Sequence, residues 1–258
     1  MITVFTPTYN RAYTLERLYK SLLSQTVKEF QWIVVDDGSV DNTEEIIKKY
    51  MAEGKLQIIY RKKNNGGKMS AINLGVQIAQ GDLFFIVDSD DYLEENAVEL
   101  IEKYFKELPK NFGGMVFRKK NTSGKDFGNF PQEIIDSDPV EIFYRRGVMG
   151  DKAEVIRTEV MKNFPFPLIQ GEKFIPEGLI WNRMGKEYKF RYVDRAIYNF
   201  EYIADGYTSN FSKIMRENPR GMKLYYGEIL CENIPLKNRI KFLIRYIQSC
   251  YYIWRKKS

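Results

Sequence analysis

No histidine occurs anywhere in the 258 residues, and only two cysteines do, Cys231 and Cys250. Histidine-based triads, His/Cys zinc sites and Cys-x-x-Cys redox centres are thereby excluded. A bound metal has to be held by oxygen, which points to Mg²⁺ or Mn²⁺. Long apolar runs are also lacking. The longest clean one, Leu83-Phe84-Phe85-Ile86-Val87, falls far short of the roughly 20 residues that a bilayer-spanning helix needs. Met1-Ile2-Thr3-Val4-Phe5 carries neither a basic region nor a small-residue cleavage site, so no secretory leader is expected. Acidic charge is missing from one segment only: Lys237 to Ser258 holds seven basic residues and no acidic one. Taking that +7 from the net +6 leaves −1 for residues 1–236. The basicity belongs to the tail, and no nucleic-acid surface is expected on the body.

What is present is a regular alternation. Apolar stretches at Ile2–Thr6, Trp32–Val35, Leu56–Tyr60 and Leu83–Val87 read as short strands. Between them lie amphipathic segments, with Leu15, Leu18 and Leu22 on one face behind Thr14 as N-cap, and with Ile72, Val76 and Ala79 on another. Asp41 with Glu44 reads as a capping box for a helix reaching Tyr50, and Ala97–Leu108 as a further helix. Buried strands alternating with helices predict an α/β fold with a mostly parallel, Rossmann-like sheet covered on both faces. After Pro109 the rhythm changes. Strands are expected at Gly114–Phe117, Lys152–Ile156 and Lys189–Val193, with a second capping box at Asp138 to Glu141. From Phe211 onward the pattern is helical, ending in a helix over Lys237–Trp254.

Ligands of parallel α/β sheets sit at the carboxyl ends of the strands, and three polar clusters fall there. Thr6-Pro7-Thr8-Tyr9-Asn10-Arg11 follows the first strand, Asp36-Asp37-Gly38-Ser39 the second, and Asp88-Ser89-Asp90-Asp91 the fourth. The first two serve equally well as turns. The last is harder to explain as mere structure. Three carboxylates within four residues repel one another unless positive charge is present, and a divalent cation with a diphosphate supplies it.

The order Thr-Pro-Thr-Tyr-Asn, then Val-Val-Asp-Asp-Gly-Ser, then Asp-x-Asp resembles family 2 glycosyltransferases, strongly over residues 1–110 and more loosely over 111–205. The resemblance implies a GT-A fold, a nucleotide-sugar donor (a UDP-sugar), an inverting mechanism and Mn²⁺ or Mg²⁺. It places Pro7, Thr8 and Tyr9 against the nucleobase and ribose, with Asp37 hydrogen-bonding the base. Asp88 and Ser89 are implied at the ribose or metal, and Asp90 as the metal ligand. Lys68 either offsets phosphate charge or is a solvated helix start. Family members carry their general base in a Glu-Asp pair opening a helix that contains Trp and Arg. Here Glu177 stands four before Trp181 and six before Arg183, but Gly178 follows it where an acid is expected. Glu177 is the candidate base, with a favourable first helical turn as its other reading and Glu172 in reserve.

The expected organisation is a donor half (1–110), an acceptor-side half (111–205) and a helical, basic extension (206–258). The expected acceptor is a glycan or lipid-linked glycan in surface polysaccharide synthesis, and the expected location is cytoplasmic. For the tail, two readings stand. Its stripe of Ile240, Leu243, Ile244, Ile247, Tyr251 and Trp254 either packs on the core or lies on the inner membrane face. A non-catalytic GT-A domain and a nucleotidyltransferase are the alternatives in other classes. The nucleotidyltransferase lacks its glycine-rich loop at Thr6–Arg11.

Overall fold

The computed structural model describes residues 1–122, 128–148, 150–201 and 210–256. The boundary expected near residue 205 lies outside them, as do Lys257 and Ser258. Strands β1 (Ile2–Thr8), β2 (Phe30–Asp36), β3 (Gln57–Lys62) and β4 (Leu83–Ile86) alternate with helices α1 (Ala12–Leu23), α2 (Thr43–Glu53) and α3 (Lys68–Ile78). There follow β5 (Tyr92–Leu93), α4 (Ala97–Lys106), β6 (Phe112–Asn121), β7 (Ile134–Ser137) and one π-helical turn (Glu141–Arg145). β8 (Lys152–Arg157), α5 (Thr158–Asn163), α6 (Gly178–Met184) and β9 (Lys189–Phe200) complete the sheet layer. Helices α7 (Phe211–Glu217), α8 (Pro219–Leu230) and α9 (Leu236–Arg255) end the chain.

The strands form one sheet in the order β3-β2-β1-β4-β8-β6-β9-β5, with β7 beside β9. Its first four strands are parallel, as expected. Beyond β4 the sheet is mixed: β8 runs antiparallel to both β4 and β6, and β9 parallel to β6. This alternation has a consequence for function. The carboxyl ends of β1, β2, β4, β6 and β9 and the start of β8 all meet at one edge, where the order also reverses between β1 and β4. One apolar layer packs α1, α2 and α4 on the sheet through Leu15, Leu18, Leu22, Ile47 and Ile101. The opposite layer holds α3, α5 and α6 through Ile72, Val76, Met161, Leu179 and Trp181. A third, smaller cluster joins α7, α8 and α9 around Met222, Tyr226 and Phe242.

Local details depart from expectation where a tertiary partner takes over. Helix α1 begins at Ala12, two residues before Thr14, because the carboxylate of Asp41 in the neighbouring loop accepts the Ala12 N–H at 3.0 Å. Asp41 also accepts from the Thr43 N–H and hydroxyl, while Glu44 turns to Lys48 and Lys62, so the expected reciprocal box does not close. At the second box Asp138 accepts the Glu141 N–H at 2.9 Å, but Glu141 turns to Arg145 and Arg146 and the turn is π-helical. Packing of the α9 stripe on the core is overturned. Ile240, Leu243, Ile244, Ile247, Tyr251 and Trp254 are all exposed, and Phe242 and Ser249 are the buried residues of that helix.

Candidate active site

The loops after β1 and β2 are tied into one wall. Asn10 takes a left-handed backbone (φ 52°), a conformation Asn tolerates. There its N–H donates to the Ser39 hydroxyl at 2.8 Å and its side-chain oxygen accepts the Val40 N–H at 2.9 Å. The Ser39 N–H is held by Asp36 and the Asp37 N–H by the Thr8 carbonyl. Pro7 and Thr8 end β1 inside this wall, and Tyr9 is 48% exposed beside them. The Thr8 hydroxyl is buried without a hydrogen-bond partner. A buried polar atom in that condition at a strand end is one that a ligand can satisfy.

Asp37 is buried and accepts from the Gly66 and Gly67 N–H groups at 2.9 and 2.7 Å and from Lys63 at 2.7 Å. Its carboxylate therefore folds the Asn64–Lys68 turn against the sheet, with lone-pair capacity left for one further donor. Gly67 is required there. Its φ of 89° and ψ of 163° fall in a region essentially reserved for glycine, and an added Cβ would stand 2.1 Å from the Lys173 carbonyl oxygen. The turn releases Lys68 as the first residue of α3.

Lys68 is the centre of the site. Its ammonium lies 2.6 Å from Asp88 Oδ1 and 2.8 Å from Glu177 Oε1, with only 13% of its side chain exposed. Burial pulls its pKa down, but the two carboxylates raise it well above the ordinary lysine value. It is thus a fixed cation between two carboxylates 89 positions apart, and the reading of a solvated helix start is excluded. Glu177 precedes α6 without a side-chain cap to it, and its carboxylate is turned to Lys68 instead. Glu172 does the opposite: both its oxygens accept N–H groups of Arg220 and Gly221 at the start of α8.

Behind this bridge stands a second set of charges, in which Lys119 and Glu154 join Asp88 and Asp91 of the acidic cluster. Lys119 on β6 lies over the Tyr198 ring at 4.0 Å, opposite its cross-strand partner on β9. The Tyr198 hydroxyl donates to Asp91 at 2.7 Å and accepts the Asp88 N–H at 2.9 Å. Burial raises the Asp88 carboxyl, but Lys68 and Lys119 outweigh it and hold it below the usual range. Asp90 is raised by burial and then by the charge on Asp88. Burial, partly countered by Lys119, pushes Asp91 up to about 7 and Glu154 up to about 8, with Glu177 adding to the latter. Glu154 shares a crevice with Trp181 and Tyr192. The one sequence signal for it was a carboxylate inside the apolar run of β8. Lys119 had none, because only the β6–β8–β9 pairing brings it to this edge.

Among the described residues no group of three or more acidic or cysteine side chains is placed to hold a metal alone. Asp88 and Asp90 offer two mutually repelling carboxylates at one edge. That donor set fits a Mg²⁺-like ion, which takes one or two carboxylates and completes its shell with substrate phosphates and water.

A sequence model described as Glycosyl transferase family 2 matches residues 3–164. Glycosyltransferase GlyG of Streptococcus pneumoniae is 36% identical over 130 residues, 50% of this chain and 42% of that protein. The poly(ribitol-phosphate) beta-N-acetylglucosaminyltransferase TarP of Staphylococcus aureus is 33% identical over 162 residues, 57% of this chain and 47% of that protein. The chain thus spans less than half the length of either. In three dimensions it resembles residues 1–349 of S. aureus TarS in complex with UDP-GlcNAc, at a TM-score of 0.70 and 22% identity over 96% of this chain and 72% of that one. The mannosyltransferase PcManGT of Pyrobaculum calidifontis, in complex with GDP-Man and Mn²⁺, aligns at 0.61 and 15% over 98% and 74%. These likenesses show that the fold is GT-A.

Proposed function

Because the chain belongs to glycosyl transferase family 2, we propose that it is an inverting, metal-dependent glycosyltransferase acting on a UDP-sugar. The observation that carries this reading is the Lys68 bridge, which sets Asp88 of the Asp-x-Asp segment and Glu177 on either side of one buried cation. The acceptor is a glycan or lipid-linked glycan in surface polysaccharide or related glycoconjugate synthesis, reached from the cytoplasmic side of a membrane. Support for the donor comes from TarS, titled as a complex with UDP-GlcNAc, and from TarP, named an N-acetylglucosaminyltransferase.

In this reading Pro7, Thr8 and Tyr9 flank the nucleoside, and the remaining lone pair of Asp37 receives the base N–H. Asp88 and Ser89 face the ribose and first phosphate. Asp90, with Asp88, would hold the divalent cation, which when bound would stabilise the charge on the departing diphosphate. Lys68 adds a fixed positive charge at the same edge. Glu177 accepts the proton of the acceptor hydroxyl as its oxygen attacks the anomeric carbon opposite the leaving group. The new C–O bond forms as the bond to phosphate breaks, the electron pair leaves with the nucleoside diphosphate, and configuration inverts.

Calorimetry of UDP- and GDP-sugars, with Mn²⁺ or Mg²⁺ and with chelator, tests this on wild type and Asp90→Ala. Metal-dependent binding of the UDP series that disappears in the variant is expected. Absence of any nucleotide binding with metal present would sink the proposal.

A further inference from the structure

We propose that the outward face of α9 is a docking surface for an anionic lipid bilayer. Helix α9 is held to the body by one side: Phe242 stacks on Tyr226 at 5.8 Å and meets Tyr144 edge-on at 5.5 Å, and Ser249 is fully buried. Successive residues turn by about 100°, so Leu236, Ile240, Leu243, Ile244, Ile247, Tyr251 and Trp254 all lie on the side opposite those contacts. Each of the seven is between 47% and 72% exposed. They form one unbroken apolar stripe along a helix of 20 residues, about 30 Å long. Contiguous exposed apolar surface of that extent marks an interaction site.

Charge selects the occupant. Lys237, Lys241 and Arg255 border the stripe on one flank and Arg239 on the other, all exposed, and no acidic residue stands on α9. A second copy of the chain is the rival, because Leu236, Ile240, Leu243, Ile247, Cys250 and Trp254 repeat with heptad spacing. Two such helices would set their basic flanks beside one another with no carboxylate on either α9 to pair with them. An anionic bilayer removes that conflict. Each basic residue gains on the order of 1 kcal/mol near acidic headgroups, and the stripe enters the acyl boundary. Tyr251 and Trp254, at the far end, have the amphipathic rings that settle at headgroup depth. The surface deepens the reading of a lipid-linked acceptor without depending on the donor chemistry.

The full chain is mixed with vesicles of phosphatidylcholine alone or with phosphatidylglycerol added, and followed by co-sedimentation and tryptophan emission. Trp32 and Trp181 are buried and Trp254 is 65% exposed, so a blue shift on binding reports α9. Binding to the acidic vesicles is expected to weaken with salt and to fall on the order of tenfold or more in Ile244→Ser/Ile247→Ser. Lys237→Glu/Arg239→Glu is expected to remove the preference for acidic lipid. Both variants should keep the wild-type melting profile. Failure to bind acidic vesicles, or binding indifferent to the serine variant, overturns the proposal. So does a concentration-dependent dimer that the serine variant dissolves, which would place a second copy on the stripe. Loss of nucleotide binding with vesicle binding intact would count against the transfer reaction alone.

Discussion

Positive charge is handled in opposite ways at the two ends of this molecule. At the sheet edge, Lys68 is buried between Asp88 and Glu177, and Lys119 lies among Asp88, Asp91 and Glu154. Along α9, Lys237, Arg239, Lys241 and Arg255 stand exposed with no acid on their helix. A lysine taken out of water survives only when carboxylates surround it, so the inner charges report a geometry fixed by the fold. Charges left in water without a carboxylate partner hold little of the fold, and their one-sided sequence is instead a property of what the surface meets. A total of +6 conceals this division entirely.

The sharpest way to separate the two regions is Glu177→Gln. It preserves shape and removes the proposed base, so turnover should fall by about 10²–10⁴-fold while calorimetry finds donor binding retained. An activity loss below tenfold would move the proton transfer elsewhere. Lys68→Met comes next in size. It leaves Asp88 and Glu177 without the cation between them, and breaking a buried pair in this way costs about 3–5 kcal/mol. The value for Lys68 belongs near the lower limit, since its partners keep 28% and 30% exposure. Denaturant unfolding measures it. A variant as stable as wild type would mean that the bridge is dispensable to the fold, and would break the contrast with α9.

The two regions also differ in how far the sequence discloses them. The four parallel strands were legible because each is an apolar run closed by a polar cluster, and their boundaries moved by no more than two residues at either end. The position of Thr8, Asp37, Asp88 and Asp90 at strand ends was legible for the same reason, and strand ends are where such a fold can deliver side chains to a ligand. Glu177 was preferred to Glu172 from its spacing to Trp181 and Arg183 alone, and packing adds that Glu172 holds the start of α8. Lys119 was invisible and Glu154 showed only as a carboxylate in an apolar run, since their meeting depends on antiparallel pairing of β6 with β8, which no local period encodes. For α9 the stripe was legible and its direction was left open between two readings. Periodicity fixes that a helix has an apolar side, whereas burial is decided by whatever the rest of the chain places beside it.

The smallest effect expected concerns pH and belongs wholly to the inner set. Glu154 is raised from 4.5 to about 8 by burial, and Asp91 from 3.8 to about 7. A carboxyl whose folded pKa exceeds its unfolded one holds its proton more tightly in the folded state. Its contribution is complete below the unfolded value and is lost as pH rises through the folded one. Asp88 acts in the opposite sense but outside this window, losing its share only as pH falls below the ordinary carboxylate range. Lys152, lowered by burial to about 8, contributes mainly above that pH. The melting temperature should therefore decline between pH 5 and pH 8, and the decline should be shallower in Glu154→Gln, which is neutral throughout. The residual slope is the part due to Asp91 and, with it, the raised Asp90. Each kcal/mol corresponds to about 2–4 °C for a chain of this size, so a difference of a few degrees between the two profiles is expected. Parallel profiles would show that Glu154 is solvated and ionised at neutral pH, placing a second charged carboxylate beside Glu177 in the cleft and making it, too, a candidate for the acceptor's proton.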